Sequence, residues 1–128
     1  MTRLALFLTL LILSAPAQGQ SVLGLWLSPP DHKGRTGHVE MKPCGTAICG
    51  TLLRAFDKSG APIVTKNVGK RLIWDMMPAA PDGYRGQVFV PLMNSDFPAE
   101  MTVKGDLLEI HGCNSLGLCK SQSWSRVN

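Results

Sequence analysis

Ala99-Glu100-Met101-Thr102-Val103-Lys104-Gly105-Asp106-Leu107-Leu108-Glu109-Ile110-His111 is the stretch from which the fold is read. Apolar and polar residues alternate on both sides of Gly105-Asp106, a two-residue turn with glycine first, and that pattern specifies an antiparallel hairpin. Met101, Val103, Leu108 and Ile110 are expected on the inner face, with Glu100, Thr102, Lys104 and Glu109 towards water.

Working outward from this hairpin, every other apolar run between residues 18 and 128 is also short and bounded by turn residues. Leu23 to Leu27 stops at Ser28-Pro29-Pro30, and Gly37 to Lys42 stops at Pro43-Cys44. Ile48 to Phe56 precedes Asp57-Lys58-Ser59-Gly60, and Lys70 to Met76 precedes Pro78 and Pro81. Tyr84 to Leu92 follows Asp82-Gly83, and Lys120 to Val127 places Gln122, Trp124 and Arg126 on one side. About eight antiparallel strands and no helix of ten residues follow from this punctuation. Such a meander is expected to curl into a single small up-and-down β-barrel, because closure removes edges that would pair with other chains. Eight strands enclose a space that side chains fill or that holds one small ligand.

The N-terminus reads differently. Met1-Thr2-Arg3 is followed by an apolar run from Leu4 to Leu13 and by Ser14-Ala15-Pro16-Ala17. This is the pattern of a secretory signal peptide over residues 1–17, with cleavage as late as Gly19. The run is too short for a bilayer span. The expected product is one β-barrel domain over residues 18–128 in the periplasm or medium, with no membrane span.

Export gives the four cysteines a meaning. Cys44 and Cys49 bracket one turn and Cys113 and Cys119 another, each rich in Gly, Asn, Ser or Thr. Three connectivities are open to four cysteines; local pairing is expected, since disulfides persist outside the cytoplasm. A four-thiolate zinc site has the wrong spacing and the wrong compartment. Met41, Met76, Met77, Met93 and Met101 show no repeated spacing with histidine, so they read as core filler and not as copper ligands.

Lys and Arg number 13 against 9 Asp and Glu, and they are scattered. Even the densest pair, Lys70-Arg71, lacks the interleaved aromatics of a nucleic-acid groove and reads as solvation. No nucleic-acid partner is expected. For catalysis the chain offers no nucleophile elbow, no His-x-x-x-His and no phosphate loop. His38 has Glu40 two residues on, a pairing that exposed strands carry routinely. Neither catalytic residues, metal ligands nor a cofactor are expected, and the protein reads as non-enzymatic.

The succession Gly24-Leu25-Trp26, Pro43-Cys44-Gly45 through Cys49-Gly50, Asp57-Lys58-Ser59-Gly60, Gly112-Cys113 through Leu118-Cys119 and Gln122 to Val127 resembles an exported bacterial family, domain of unknown function 2147. The resemblance runs from about Val22 to Val127. It implies a barrel like those of calycins, the lipocalins and fatty-acid-binding proteins, in which a Gly-x-Trp on the first strand packs against an Arg on the last. Gly24, Trp26 and Arg126 would hold those structural positions here. Relatives commonly carry Tyr-Asn-Pro-acid-acid-Gly-Lys-x-Tyr where this chain has Phe89-Val90-Pro91-Leu92-Met93-Asn94-Ser95-Asp96-Phe97. That segment is either a hairpin or a family site altered in this member.

Trp74, Met76, Phe89, Leu92 and Phe97 form the most apolar region near turns. They are the candidate ligand wall, with a barrel-closing lid and a protein-docking patch as alternatives. The expected partner is a small apolar or amphipathic molecule captured at the open end. The alternative is an envelope protein docked by a barrel whose core is filled.

Overall fold

A computed structural model describes Ile12 and residues 21–128; the expected signal peptide falls otherwise outside them. The strands are β1 (Gly24–Leu27), β2 (Thr36–Cys44), β3 (Ala47–Phe56), β4 (Pro62–Ile63), β5 (Arg71–Ala79), β6 (Gly83–Val90), β7 (Ser95–Lys104), β8 (Leu107–Cys113) and β9 (Cys119–Arg126). All pairings are antiparallel, in the order β2-β1-β9-β8-β7-β6-β5-β3-β4, and the β2–β3 pairing shuts the ring. Eight strands therefore close the barrel, while the two-residue β4 hangs on the end of β3 at Ala55 and Phe56. Among the described residues no helix is long and apolar enough to cross a membrane.

The hairpin that opened the sequence reading has the expected register. Met101 faces Ile110, Val103 faces Leu108 and Lys104 faces Leu107, with Gly105 at φ 63° as the first turn residue. An L side chain there would strain the backbone, so glycine is the natural occupant. β7 starts earlier than the alternation indicated: Ser95 to Pro98 continue the ladder against β6, with Phe97 opposite Val88. Pro91 falls in the turn and not in the strand, since Met93 N–H donates to the Val90 carbonyl and Asn94 N–H to that of Pro91. The segment from Phe89 to Phe97 is thus a tight hairpin with Leu92 and Met93 at its tip.

The inner faces of the strands are packed with large side chains. Val22, Trp26, Val39, Met41, Ile73, Met76, Met101 and Leu108 each retain less than 2% of their accessible surface. A side chain lining a water-sized void would show surface to it, so the space among these eight is filled. Gly50 makes room for this packing: a Cβ there would lie 2.9 Å from Met41 Sδ and 3.1 Å from Ile73 Cβ.

The seam between first and last strands is short, with only Trp26 opposite Arg126 and Leu27 opposite Ser125. Side chains reinforce it. The Arg126 guanidinium lies 4.3 Å over the Trp26 ring and donates to the carbonyls of Ser21 (2.8 Å) and Leu23 (3.3 Å). The Trp26 indole N–H donates to the Val22 carbonyl at 2.8 Å. A cation over an indole is attracted by the ring quadrupole while its N–H groups remain free for the segment that leads into β1, so one arginine ties β9 to β1 and to that segment.

Alternation of strand direction sorts the connections into two sets. The β2–β3, β5–β6 and β7–β8 turns share one end with the start of β1 and the end of β9. The β1–β2 loop, the β3–β5 connection and the β6–β7 and β8–β9 hairpins share the other. The disulfides, Cys44–Cys49 and Cys113–Cys119, therefore staple hairpins at opposite ends, and their four sulfurs are never gathered around one ion. Each loop closed in this way restricts the unfolded chain and adds roughly 2 kcal/mol on the loop-entropy account.

His38, on the outer face of β2, meets Phe56 edge-on at 4.8 Å. Partial burial, reinforced by the Arg54 guanidinium, holds its pKa below the ordinary 6.5. The unfolded chain therefore takes up a proton at a higher pH than the folded one. Stability is full above 6.5 and declines as pH falls towards the folded value. His38→Gln is expected to flatten the pH dependence of the urea midpoint in this window, which denaturation on either side of it checks.

Candidate functional site

The outer wall carries the aromatic residues that the interior does not use. Ile73 pairs with Val88 and Trp74 with Gln87, after which Met77 pairs with Arg85. β5 takes three steps where β6 takes two. The extra residue is Asp75, whose φ of 53° marks a bulge. Without it Trp74 and Met76 would share a face; with it Met76 enters the core and Trp74 stands outside. Gly86 makes the bulge possible, because any Cβ at that position would lie 2.6 Å from the Asp75 carbonyl oxygen.

Two residues after Gln87, Phe89 projects on the same outer face, opposite Asp96 of β7. Immediately before β5, Lys70 is fixed against β3: its carbonyl accepts from Leu52 N–H at 3.0 Å, and its own N–H donates to Asn67. Lys70, Arg71, Trp74, Phe89 and Asp96 together line an open recess of about 270 Å³. Two half-buried aromatic rings stand beside two cations and one carboxylate. The chemistry suits a ligand with an apolar ring or chain and an anionic group: the rings take the apolar part, and Arg71 can offer a planar pair of donors.

The five residues expected to form one wall are thus divided. Trp74 and Phe89 come together outside the barrel. Met76 is fully buried, Phe97 points inward opposite Val88, and Leu92 stands at the hairpin tip. The barrel mouth, where the wall was expected, is not where the two aromatics meet. Lys70, Arg71 and Asp96 are the recess residues that sequence reasoning missed. The first two were visible as the densest basic pair, but their aromatic neighbours come from strands far along the chain.

A second recess, about 150 Å³, lies at the opposite end, between the β5–β6 turn and the Arg85–Glu100 pair. Glu40 pairs with Lys42 at 3.0 Å, and His38 packs against Phe56. His111 Nδ1 lies 2.6 Å from Ser121 Oγ, and its ligand atoms fall within 4.8 Å of Cys113 and Cys119 sulfur. Both sulfurs are joined to one another, so neither is the thiolate that a soft metal binds.

A family model for an uncharacterized protein conserved in bacteria, DUF2147, matches residues 24–126. Among solved structures the chain is similar to HP1028 from Helicobacter pylori, described as belonging to the lipocalin family. The two share 12% identity over 84% of each chain, with a TM-score of 0.64. At that identity the likeness is one of fold. No curated protein matches the chain.

Proposed function

Since the chain belongs to the bacterial family DUF2147 and folds as a lipocalin-like barrel, we propose that it is an exported, non-enzymatic binding protein. Its ligand is a small amphipathic molecule with an anionic group, held on the outer recess between Trp74 and Phe89. The observation that carries this reading is the placement of Lys70 and Arg71 beside two outward aromatic rings. Burial of the ligand's apolar surface, at roughly 25 cal/mol per Å², supplies the affinity, and the cations select the charge. The two disulfides and the leader-like N-terminus support a periplasmic or secreted location.

Fluorescence titration with anilinonaphthalene sulfonate, an aromatic ring system bearing an anion, tests the reading. Trp74→Ala and Arg71→Gln are each expected to weaken binding by about tenfold, equivalent to about 1.4 kcal/mol, with the unfolding midpoint little changed. Equal affinity in wild type and both variants would overturn it. The filled interior supports a second reading, an envelope module that docks a protein partner. In that case neither substitution would alter the titration.

A further inference from the structure

The two ends of the barrel differ in what they expose. Within residues 21–128, the large apolar side chains that keep more than half of their surface are Val64 (96%), Leu116 (84%), Leu92 (70%), Leu118 (68%) and Met93 (51%). All five lie in the β3–β5 connection or in the β6–β7 and β8–β9 hairpins. Strand alternation brings those three connections to the end away from the start of β1 and the end of β9. Among residues 21–128, the most exposed large apolar side chain at the opposite end, Leu107, keeps 46%.

These tips are built to stand out. Asn114 Oδ1 accepts from the N–H groups of Leu116 and Leu118, both at 3.0 Å, and the Cys113–Cys119 bridge closes the neck beneath them. The Pro91–Asn94 turn holds Leu92 and Met93 in the same manner. Three loops at one end of the barrel thus each carry exposed apolar side chains.

Charge is polarised along the same axis. Lys33, Lys58, Lys66, Lys70, Arg71 and Lys120 are exposed on the loops and strand ends of this rim, and none makes an ion pair among the described residues. Of the five ion pairs present, only Arg35–Asp31 belongs to this end. The other four, Lys42–Glu40, Arg85–Glu100, Lys104–Glu109 and Arg126–Asp106, lie towards the opposite one. Of the rim-side carboxylates, Asp31 is held by Arg35 and Asp57 accepts from Ser59 and Ala61 within its own loop, while Asp96 stands exposed beside Lys70 and Arg71.

We propose that this end of the barrel docks on an anionic phospholipid surface, inserting Val64, Leu92, Met93, Leu116 and Leu118 between headgroups while the ring of unpaired cations meets lipid phosphate. Apolar tips on three loops suit a fluid interface, which closes around each one. Unpaired lysines around apolar tips match the diffuse negative charge of a leaflet, each adding to the attraction and each weakened by salt. The inference is independent of the ligand recess, although Lys70 and Arg71 border both.

Flotation with vesicles rich in phosphatidylglycerol, compared with phosphatidylcholine alone, tests the proposal on the protein purified as it is exported. All variants should have the same N-terminus by mass. Wild type is expected to float with the anionic vesicles and to be released by high salt. The double variant Val64→Asp, Leu116→Asp should lower the partition coefficient by about tenfold or more, and so should Lys66→Glu, Lys120→Glu. These four side chains are exposed, so thermal unfolding should be unchanged. Three results would overturn the proposal: no flotation, equal flotation with both lipids, or undiminished flotation of the Val64/Leu116 variant.

Discussion

Trp26→Ala is expected to destabilise the barrel by about 3–5 kcal/mol, the range for deleting a fully buried large aromatic side chain. A domain of this size is stable by only about 5–15 kcal/mol in total, so the variant would stand close to the unfolding threshold. Three losses coincide at this position. The indole leaves a void among Val22, Val39 and the rest of the filled interior. The Val22 carbonyl loses its 2.8 Å donor, and Arg126 loses the ring beneath its guanidinium. They fall on the weakest seam, since β1 and β9 pair at only two positions. Urea denaturation with both disulfides oxidised measures the effect. Arg126→Met, which keeps an apolar stem but cannot donate to the Ser21 and Leu23 carbonyls, should cost less, about 1–3 kcal/mol. A Trp26→Ala cost below about 1 kcal/mol would show that the seam is held by the strands alone.

Gly86→Ala should cost about 3 kcal/mol, the upper part of the range for overpacking. The added methyl would meet the Asp75 carbonyl oxygen at 2.6 Å and the Trp74 carbonyl oxygen at 2.7 Å. Both are backbone atoms, which yield only if the bulge itself moves. The variant therefore couples stability to the recess: a displaced bulge shifts Trp74, and anilinonaphthalene sulfonate affinity should fall together with the urea midpoint. Gly60→Ala separates this clash from a conformational penalty. Gly60 has φ 86° but open space where a Cβ would stand, so that change should cost about 1–2 kcal/mol and leave probe affinity intact. Equal stability of Gly86→Ala and wild type would mean that the bulge is soft.

Much of the barrel was legible along the chain because antiparallel sheet chemistry is local. Glycine-first turn residues and period-two alternation set the β7–β8 hairpin and the inward set Met101, Val103, Leu108 and Ile110, for which one residue of slip would have turned every side chain to water. The short Cys44–Cys49 and Cys113–Cys119 spacings made local bridges the natural pairing, each around a turn. The resemblance pointed to Gly24, Trp26 and Arg126 as a group, and the structure places the last two in contact across about a hundred residues.

The candidate site was less legible, for a physical reason. Alternation assigns faces only while the ladder is regular, and Asp75 breaks it. The residue that permits the break, Gly86, lies on the neighbouring strand, so Trp74 and Met76 look alike in sequence and end on opposite sides of the wall. Phe97 was separated from its strand by Pro98, which the β6–β7 ladder accommodates opposite Gln87. The association of Lys70 and Arg71 with Phe89 and Asp96 likewise depends on which strands become neighbours. The sequence by itself determined strands, turns and the all-β class, because these depend on residues close along the chain. Only the tertiary structure decided the filled interior, the outward aromatic recess and the gathering of apolar tips and cations at one end, because each depends on the closure of the ring and on one bulge within it.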